Sequence, residues 1–262
     1  MNHNTTSSTA GDSQTGSSIQ DRTRLFYVGA ACVMLLVTLI GFQDFYLRGG
    51  KAYPEAREIA PSIRNLVIFH GASMMGWMVL FLGQSLLIAT GRRRLHMAMG
   101  PAAVALAVCI LVSGLWLNVE STRLADPERQ LFGVTNKQFM ALGFAILFVF
   151  VAMMGVGLWW RRRPEIHRPM MLLATLGPLT AAIGRIDAVI RLYEGTTLER
   201  VFADSLGMLV LGAIFFFVKW WMSRKLDKWY LIGYGALALA SLASVQIART
   251  AAWDRVASLL LR

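Results

Sequence analysis

Apolar residues in this chain form about seven long runs, separated by shorter polar or charged segments. A helix needs about 20 mostly apolar residues to cross the hydrocarbon core of a bilayer, and each run approaches that length. The runs cover residues 25–47, 66–90, 97–118, 138–160, 169–190, 203–222 and 229–248. The pattern therefore predicts an all-α fold, a polytopic membrane helix bundle of about seven transmembrane helices within residues 22–248.

The two terminal segments differ from this pattern. Residues 1–21 are polar and rich in Ser, Thr and Gly, so they bury too little apolar surface to offset the entropy lost on ordering. We expect them to form a disordered N-terminal tail. Residues 249–262 mix apolar residues with Arg and Asp, which favours a short C-terminal amphipathic segment on the membrane surface.

Composition and charge support a membrane location. The chain is 56% hydrophobic and only 16% charged, yet its formal net charge is +11. Its basic residues cluster in every second connection, most clearly at Arg92–Arg94 and Arg161–Arg163, and the positive-inside rule assigns such connections to the cytoplasm. The N-terminus is then cytoplasmic and the C-terminus external. The predicted partners are the lipid bilayer and, at the Arg clusters, anionic lipid headgroups, rather than a nucleic acid.

Polar side chains on the second apolar run occupy one helix face. His70, Met74, Trp77 and Gln84 fall within a narrow stripe at 100° per residue. A stripe that holds His and Gln is expected to face the interior of the bundle, because unpaired polar groups are costly against lipid. His70 would then lie near the outer end of its helix.

Two further histidines follow the Arg clusters at the cytoplasmic starts of the third and fifth runs. His96 and His167 lie on helices that run in the same direction, at matched depth. Such a pair can supply both axial ligands of one haem near the cytoplasmic face. Haem propionates would then lie near Arg92 and Arg168, where guanidinium pairing is favourable. Each histidine taken singly is also compatible with a structural role, such as a hydrogen bond to a loop carbonyl.

These motifs resemble two groups of membrane proteins. Over residues 66–190, the spacing of the histidines resembles that of the transmembrane dihaem b-type cytochromes that exchange electrons with ascorbate. The fourth run carries no histidine opposite His70, so the resemblance implies one inner haem b, with His70 serving an outer site or a quinone contact. The segments HGASMMGW, ATGRRRLHMAMG and EIHRPMMLLATLGPLTAAIGRI are also similar to a group of uncharacterised bacterial multi-span proteins. That resemblance implies the bacterial inner membrane but no reaction.

Ionisable groups within and after the fifth run suggest a different function. Charged residues inside a membrane often mark a transport path. Arg185, Asp187 and Asp204, together with Gln84, could line such a polar path in a cofactor-free small transporter. They could equally form internal ion pairs, Arg185 with Asp204 or Asp187 with Arg191, in an accessory or structural membrane protein.

The absence of several catalytic motifs argues against some classes of reaction. The chain has no HExxH, no GxSxG, no Walker-type glycine loop and no CxxC. Hydrolase and nucleotide-driven chemistry are therefore disfavoured, and whether the protein is an enzyme stays open. The sequence leaves two hypotheses: a b-type cytochrome-like redox protein with a small redox partner, or a cofactor-free membrane protein.

Overall fold

Long helices dominate the structure. The computed structural model describes the backbone of residues 8–47, 51–52 and 57–262 and the side chains of residues 22–47 and 59–262. The helices are α1 Ser8–Gly41, α2 Gln43–Leu47, α3 Arg64–Ala89, α4 Arg93–Ala98, α5 Gly100–Leu124, α6 Asn136–Trp159, α7 Pro164–Leu176, α8 Thr180–Ile183, α9 Asp187–Ile190, α10 Thr197–Phe202, α11 Leu206–Ser223, α12 Lys228–Ala248 and α13 Ala251–Leu260. Two antiparallel hairpins of two-residue strands lie in connections, β1 Lys51–Ala52 with β2 Arg57–Glu58, and β3 Gln130–Leu131 with β4 Val134–Thr135.

Within the described part of the chain, six helices are long and apolar enough to cross a membrane. They are Arg22–Gly41, Arg64–Ala89, Arg93–Leu124, Asn136–Trp159, Leu206–Ser223 and Lys228–Ala248. The prediction of an all-α polytopic bundle is confirmed. The fifth apolar run, 169–190, does not form one continuous helix, so a count of seven spans stays a prediction.

The fifth run forms a broken helix at the centre of the bundle. It consists of α7, a 3₁₀ turn at Gly177–Leu179 and α8. Pro178 has no backbone N–H and cannot continue the α-helical hydrogen bonds, which explains the interruption at this point. The Thr180 hydroxyl donates to the Gly177 carbonyl at 2.9 Å and so satisfies one carbonyl at the break. Nearly every residue from Met170 to Ile183 is buried.

Small residues on the surrounding helices allow close packing against this broken helix. A side chain on Gly41 of α1 would overlap the Ala182 carbonyl oxygen. A Cβ on Gly212 of α11 would lie 2.9 Å from a Leu176 methyl group, and one on Gly233 of α12 would lie 2.6 Å from Met170. Backbones can approach closely only where side chains are small, so these glycines fix the helix positions.

The two ends of the bundle have different chemistry. We name the end that carries the turns Arg92–Arg94 and Arg161–Arg163 the arginine end. The C-terminal helix α13 packs at the opposite end, against the start of α6. There Lys137 pairs with Asp254 at 2.5 Å, and the Trp253 indole N–H donates to the Lys137 carbonyl at 3.1 Å.

The predicted terminal segments remain only partly described. Helix α1 begins at Ser8, inside the segment predicted to be a disordered tail. Residues 1–7, and the side chains of residues 8–21, lie outside the described residues, so the tail stays a prediction. The segment 249–262 contains α13, and its position on an outer membrane surface likewise stays a prediction.

Candidate functional site

The arginine end brings His96 and His167 together. Gly91, at a φ of 76°, ends the second membrane helix in a tight turn, and the short helix α4 that follows carries His96. His167 lies in the first turn and a half of α7, after the second Arg cluster. Their imidazole ring centroids are 6.3 Å apart and the ring planes meet at 84°.

Hydrogen bonding defines the protonation of one ring. The Nδ1 atom of His167 lies 2.8 Å from the Gly157 carbonyl oxygen. A carbonyl only accepts, so Nδ1 carries the proton and donates it, and Nε2 of the neutral ring keeps a free lone pair. A metal-ligating histidine commonly has its second ring nitrogen held in this way. This hydrogen bond fixes the orientation of the His167 ring and leaves its Nε2 available to a further partner.

The second ring has an unsatisfied atom. Nδ1 of His96 is buried and has no hydrogen-bond partner. Buried polar atoms are usually paired, so an orphaned imidazole nitrogen calls for a specific explanation. Both side-chain amide atoms of Gln84, on α3, are also buried without a partner, and the Gln84 backbone carbonyl lies near the His96 ring as an acceptor. The site therefore holds polar groups with unused bonding capacity.

Arg168 connects this pair to a second polar group. It is half-buried. Its positive charge interacts electrostatically with His96 and His167, and also with Tyr27 and Lys219. Arg92, by contrast, is exposed. It lines an open surface groove together with Gly91, Arg93, Arg94, Leu95 and Met97. Of the two arginines predicted to pair with propionates, Arg168 lies nearer the interior.

The sequence patterns did not indicate the role of Lys219, which was grouped with the basic residues of a cytoplasmic turn. The structure instead buries its side chain between α1, α11 and α12. Its ammonium group donates to the Tyr27 hydroxyl at 2.5 Å and pairs with Asp227. Asp227 also caps α12 by accepting from the Tyr230 amide at 3.0 Å. Lys219 and Asp227 lie on either side of the short connection between α11 and α12. Their opposite charges at this spacing are the one signal that could have revealed the pair.

His70 lies apart from the other two histidines, toward the opposite end. Its Nδ1 is 2.9 Å from the Ser113 hydroxyl, and that hydroxyl donates its single hydrogen to the Cys109 carbonyl at 2.6 Å. Nδ1 therefore donates and Nε2 is unprotonated. The ring packs against Gly114, where an added Cβ would lie 3.1 Å from the imidazole Cε1.

The predicted polar path is divided between the two ends. Gln84 lies with the histidine pair, whereas Arg185, Asp187 and Asp204 lie at the opposite end. Asp204 is almost fully buried, at 3% exposure, and its Oδ1 has no hydrogen-bond partner. The Arg185 guanidinium lies 4.7 Å above the Phe42 ring and donates to the Ala181 carbonyl. Asp187 is exposed.

Comparison with known proteins adds no assignment. The chain matches no protein-family model, no curated protein and no solved structure. Within the described residues, no group of three or more His, Cys, Asp or Glu side chains could hold a metal ion.

Proposed function

We propose that this protein is a membrane redox protein with one haem b, held by His96 and His167 as axial ligands. The observation that carries the proposal is the close approach of the two rings, whose centroids are 6.3 Å apart and whose planes meet at 84°. An iron bound by two imidazoles on opposite faces, at about 2 Å from each nitrogen, separates the ring centroids by roughly 6 Å. The separation and the perpendicular planes suit bis-His ligation.

The hydrogen bonds and the local packing favour the same ligand set. The Gly157 carbonyl holds His167 with Nε2 unprotonated, and His96 has a buried ring nitrogen without a partner. Gly100, one turn after His96, has no atom within 4 Å of an added Cβ, so the surface of the helix beside it is open. A porphyrin needs such space next to its ligand.

The remaining polar residues have roles that follow from their chemistry. Bound haem supplies a one-electron redox couple. Arg168, half-buried beside both rings, is the favoured partner for a propionate, since guanidinium and carboxylate groups pair in bidentate fashion. The Gln84 amide, with its N–H donors unused, can hold a second carboxylate or a water molecule.

The proposal also covers partners and location. The free Nε2 of His70 is a suitable contact for a quinone or another small redox partner at the opposite end. The exposed groove at Arg92–Arg94 suits anionic lipid headgroups. With the arginine end in the cytoplasm of a bacterium, the protein would be a multi-pass protein of the inner membrane. Cysteine accessibility at the Arg92–Arg94 turn, measured in intact and permeabilised cells, tests this orientation.

An absorption spectrum tests the haem proposal. The protein is expressed with a haem supply, purified in detergent and examined for a Soret band that shifts on reduction. We expect the band in the native protein and in His70→Ala, and its loss in His96→Ala and in His167→Ala. Size-exclusion profiles show that each variant is folded. A native protein without a Soret band, or a band that survives both substitutions, refutes the proposal.

A further inference from the structure

A small recess lies between α6, α12 and the start of α11, at the end opposite the arginine clusters. Its walls are apolar on α6 and carry hydroxyls on α12. It is lined by Leu142, Ala145, Ile146, Val149, Asp204, Ser205, Leu237, Ala240, Ser241 and Ser244. The internal space is about 10 Å³, which is room for one particle of the size of a water molecule.

The recess contains one carboxylate in an apolar surrounding. Asp204 is 97% buried, and its Oδ1 has no hydrogen-bond partner. An isolated buried carboxylate is strongly unfavourable unless a positive charge or a proton compensates it. Arg185 is the charged group that acts on Asp204, but its guanidinium also donates to the Ala181 carbonyl. Compensation by a further cation would be favourable.

The three hydroxyls of the recess can only accept. Ser205 donates its hydrogen to the Phe202 carbonyl at 2.6 Å, Ser241 donates to the Leu237 carbonyl at 3.0 Å, and Ser244 donates to the Ser241 carbonyl at 2.7 Å. A hydroxyl has one hydrogen and two lone pairs, so each oxygen keeps lone pairs for another partner. The polar lining therefore consists of oxygen acceptors.

A strained turn orients the carboxylate. Residues 202–205 form a turn closed by the Ser205 amide and the Phe202 carbonyl at 2.9 Å. Ala203 in this turn has a φ of 48°, a conformation that normally requires glycine. Asp204 lies close to Gly184, at the end of the broken central helix. A Cβ added to Gly184 would be 3.7 Å from the Asp204 Cβ. Strain of this kind persists where surrounding packing fixes it, often at a binding site.

We propose that the Asp204 recess, with Ser205, Ser241 and Ser244, binds one monovalent cation without its hydration shell. The polar part of the lining consists of oxygen atoms from one carboxylate and three hydroxyls, which matches a hard ion of charge +1, and the space admits only one such ion. Interrupted helices next to ion sites are a recurring feature of membrane transport proteins, and Gly184, at the end of the interrupted helix, lies beside Asp204. The site is independent of the haem proposal.

A proton competes with the cation for the same oxygen. Burial raises the pKa of Asp204 to about 7, while its own backbone amide and Arg185 act in the opposite direction. Asp204 lies just before α11 in the chain and outside the six membrane-spanning helices. Cation binding should therefore weaken below pH 7, as the carboxylate takes up its proton.

Thermal unfolding of the detergent-purified protein tests the site, with sodium or potassium chloride compared with choline chloride at equal ionic strength. Choline is too large for the recess, so it controls for screening. At pH 8 we expect a saturable rise in Tm of about 5 °C with the smaller cation, as selective binding to the folded state requires. Asp204→Asn should abolish the rise, and Ser241→Ala should weaken the apparent affinity by about tenfold, the effect of one lost ligand.

The matched control is Asp187→Asn, which removes an exposed carboxylate near the same end. It should leave the cation response unchanged. Equal Tm values in sodium, potassium and choline would overturn the proposal. So would a saturable response that survives in Asp204→Asn, or one lost in Asp187→Asn. Because the assay measures unfolding rather than the Soret band, its result is independent of whether haem binds.

Discussion

The imidazole rings of His96 and His167 lie edge to face with their centroids 6.3 Å apart, although they belong to different helical hairpins. His167 is held by the Gly157 carbonyl, while the buried Nδ1 of His96 has no partner. A hydrogen bond thus fixes the tautomer of His167, whereas no hydrogen bond at Nδ1 fixes the tautomer of His96. This asymmetry makes His96 the better position for ligand exchange.

The first prediction concerns His96→Met in the haem-loaded protein. Methionine can replace one axial histidine, and His/Met ligation favours reduced iron. We expect the Soret band to persist and the midpoint potential to rise by on the order of 100 mV. Redox titration monitored by absorption measures the shift. His70→Met is the control and should leave the potential unchanged, whereas an unchanged potential in His96→Met would argue against ligation by His96.

The second prediction concerns the pH dependence of stability. The raised pKa of Asp204, about 7 against 3.8 for an ordinary aspartate, means that the folded chain retains a proton that the unfolded chain releases. Stability therefore falls as pH rises between about 4 and 7, and levels off above 7. The Asp204→Asn side chain does not ionise, so this variant should not lose stability over the same pH range. In choline buffer the variant should match the native protein near pH 4 and exceed it by about 4 kcal/mol at pH 8.

Unfolding curves at several pH values test this difference. The sign is decisive, because an aspartate stabilised by an ion pair would make the substitution destabilising at high pH. A variant less stable than the native protein at pH 8 would therefore show that Asp204 is compensated within the chain. The same series in sodium or potassium chloride should show a smaller difference, since a bound cation offsets the buried charge.

The third prediction uses two glycines of α1. Gly41→Ala would drive a methyl group into the Ala182 carbonyl oxygen of the broken helix, and neither backbone can move without separating the helices. We expect destabilisation of about 1–3 kcal/mol. Gly29→Ala, in the same helix, meets no atom within 4 Å and should be neutral or stabilise by up to about 1 kcal/mol. Equal effects in the two unfolding curves would contradict the packing of α1 on α8.

The fourth prediction concerns the ion pair between the buried Lys219 and the partly buried Asp227. Lys219→Met leaves the Asp227 carboxylate and the Tyr27 hydroxyl without their ammonium partner. Lys219 is buried but Asp227 is only partly buried, so loss of the ammonium group should cost about 1–3 kcal/mol, because its two partners lose a charged donor. Chemical unfolding measures the loss. Lys225→Met, at an exposed position of the same turn, should change stability by less than about 0.5 kcal/mol.

A double variant separates charge from packing at this pair. Asp227→Asn keeps a side chain that can cap α12. Combined with Lys219→Met, it removes both charges, so the double variant should be more stable than Lys219→Met alone. If the two substitutions are simply additive, the ammonium and carboxylate groups do not interact, and the packing around Lys219 would explain its effect.

Several features could be predicted from the sequence because they depend on local patterns. Apolar runs of membrane-spanning length predict helices wherever they occur, and the structure bears this out for six of them. The histidines followed matching Arg clusters, so their location at one end of the bundle could also be anticipated. The broken fifth helix was harder to foresee. Its residues are apolar, and Pro178 alone does not distinguish a kink from an interruption.

The sequence by itself determined the class of the protein and the end at which His96 and His167 lie, since both follow from run length and from the order of charged turns. Only the tertiary structure decided which polar groups meet. It separated Gln84 from Asp204, buried Lys219 against Tyr27 and Asp227, and placed Asp204 beside serines of α11 and α12. The physical reason is that such contacts join residues far apart in the chain, and they depend on how helices pack around the central broken helix.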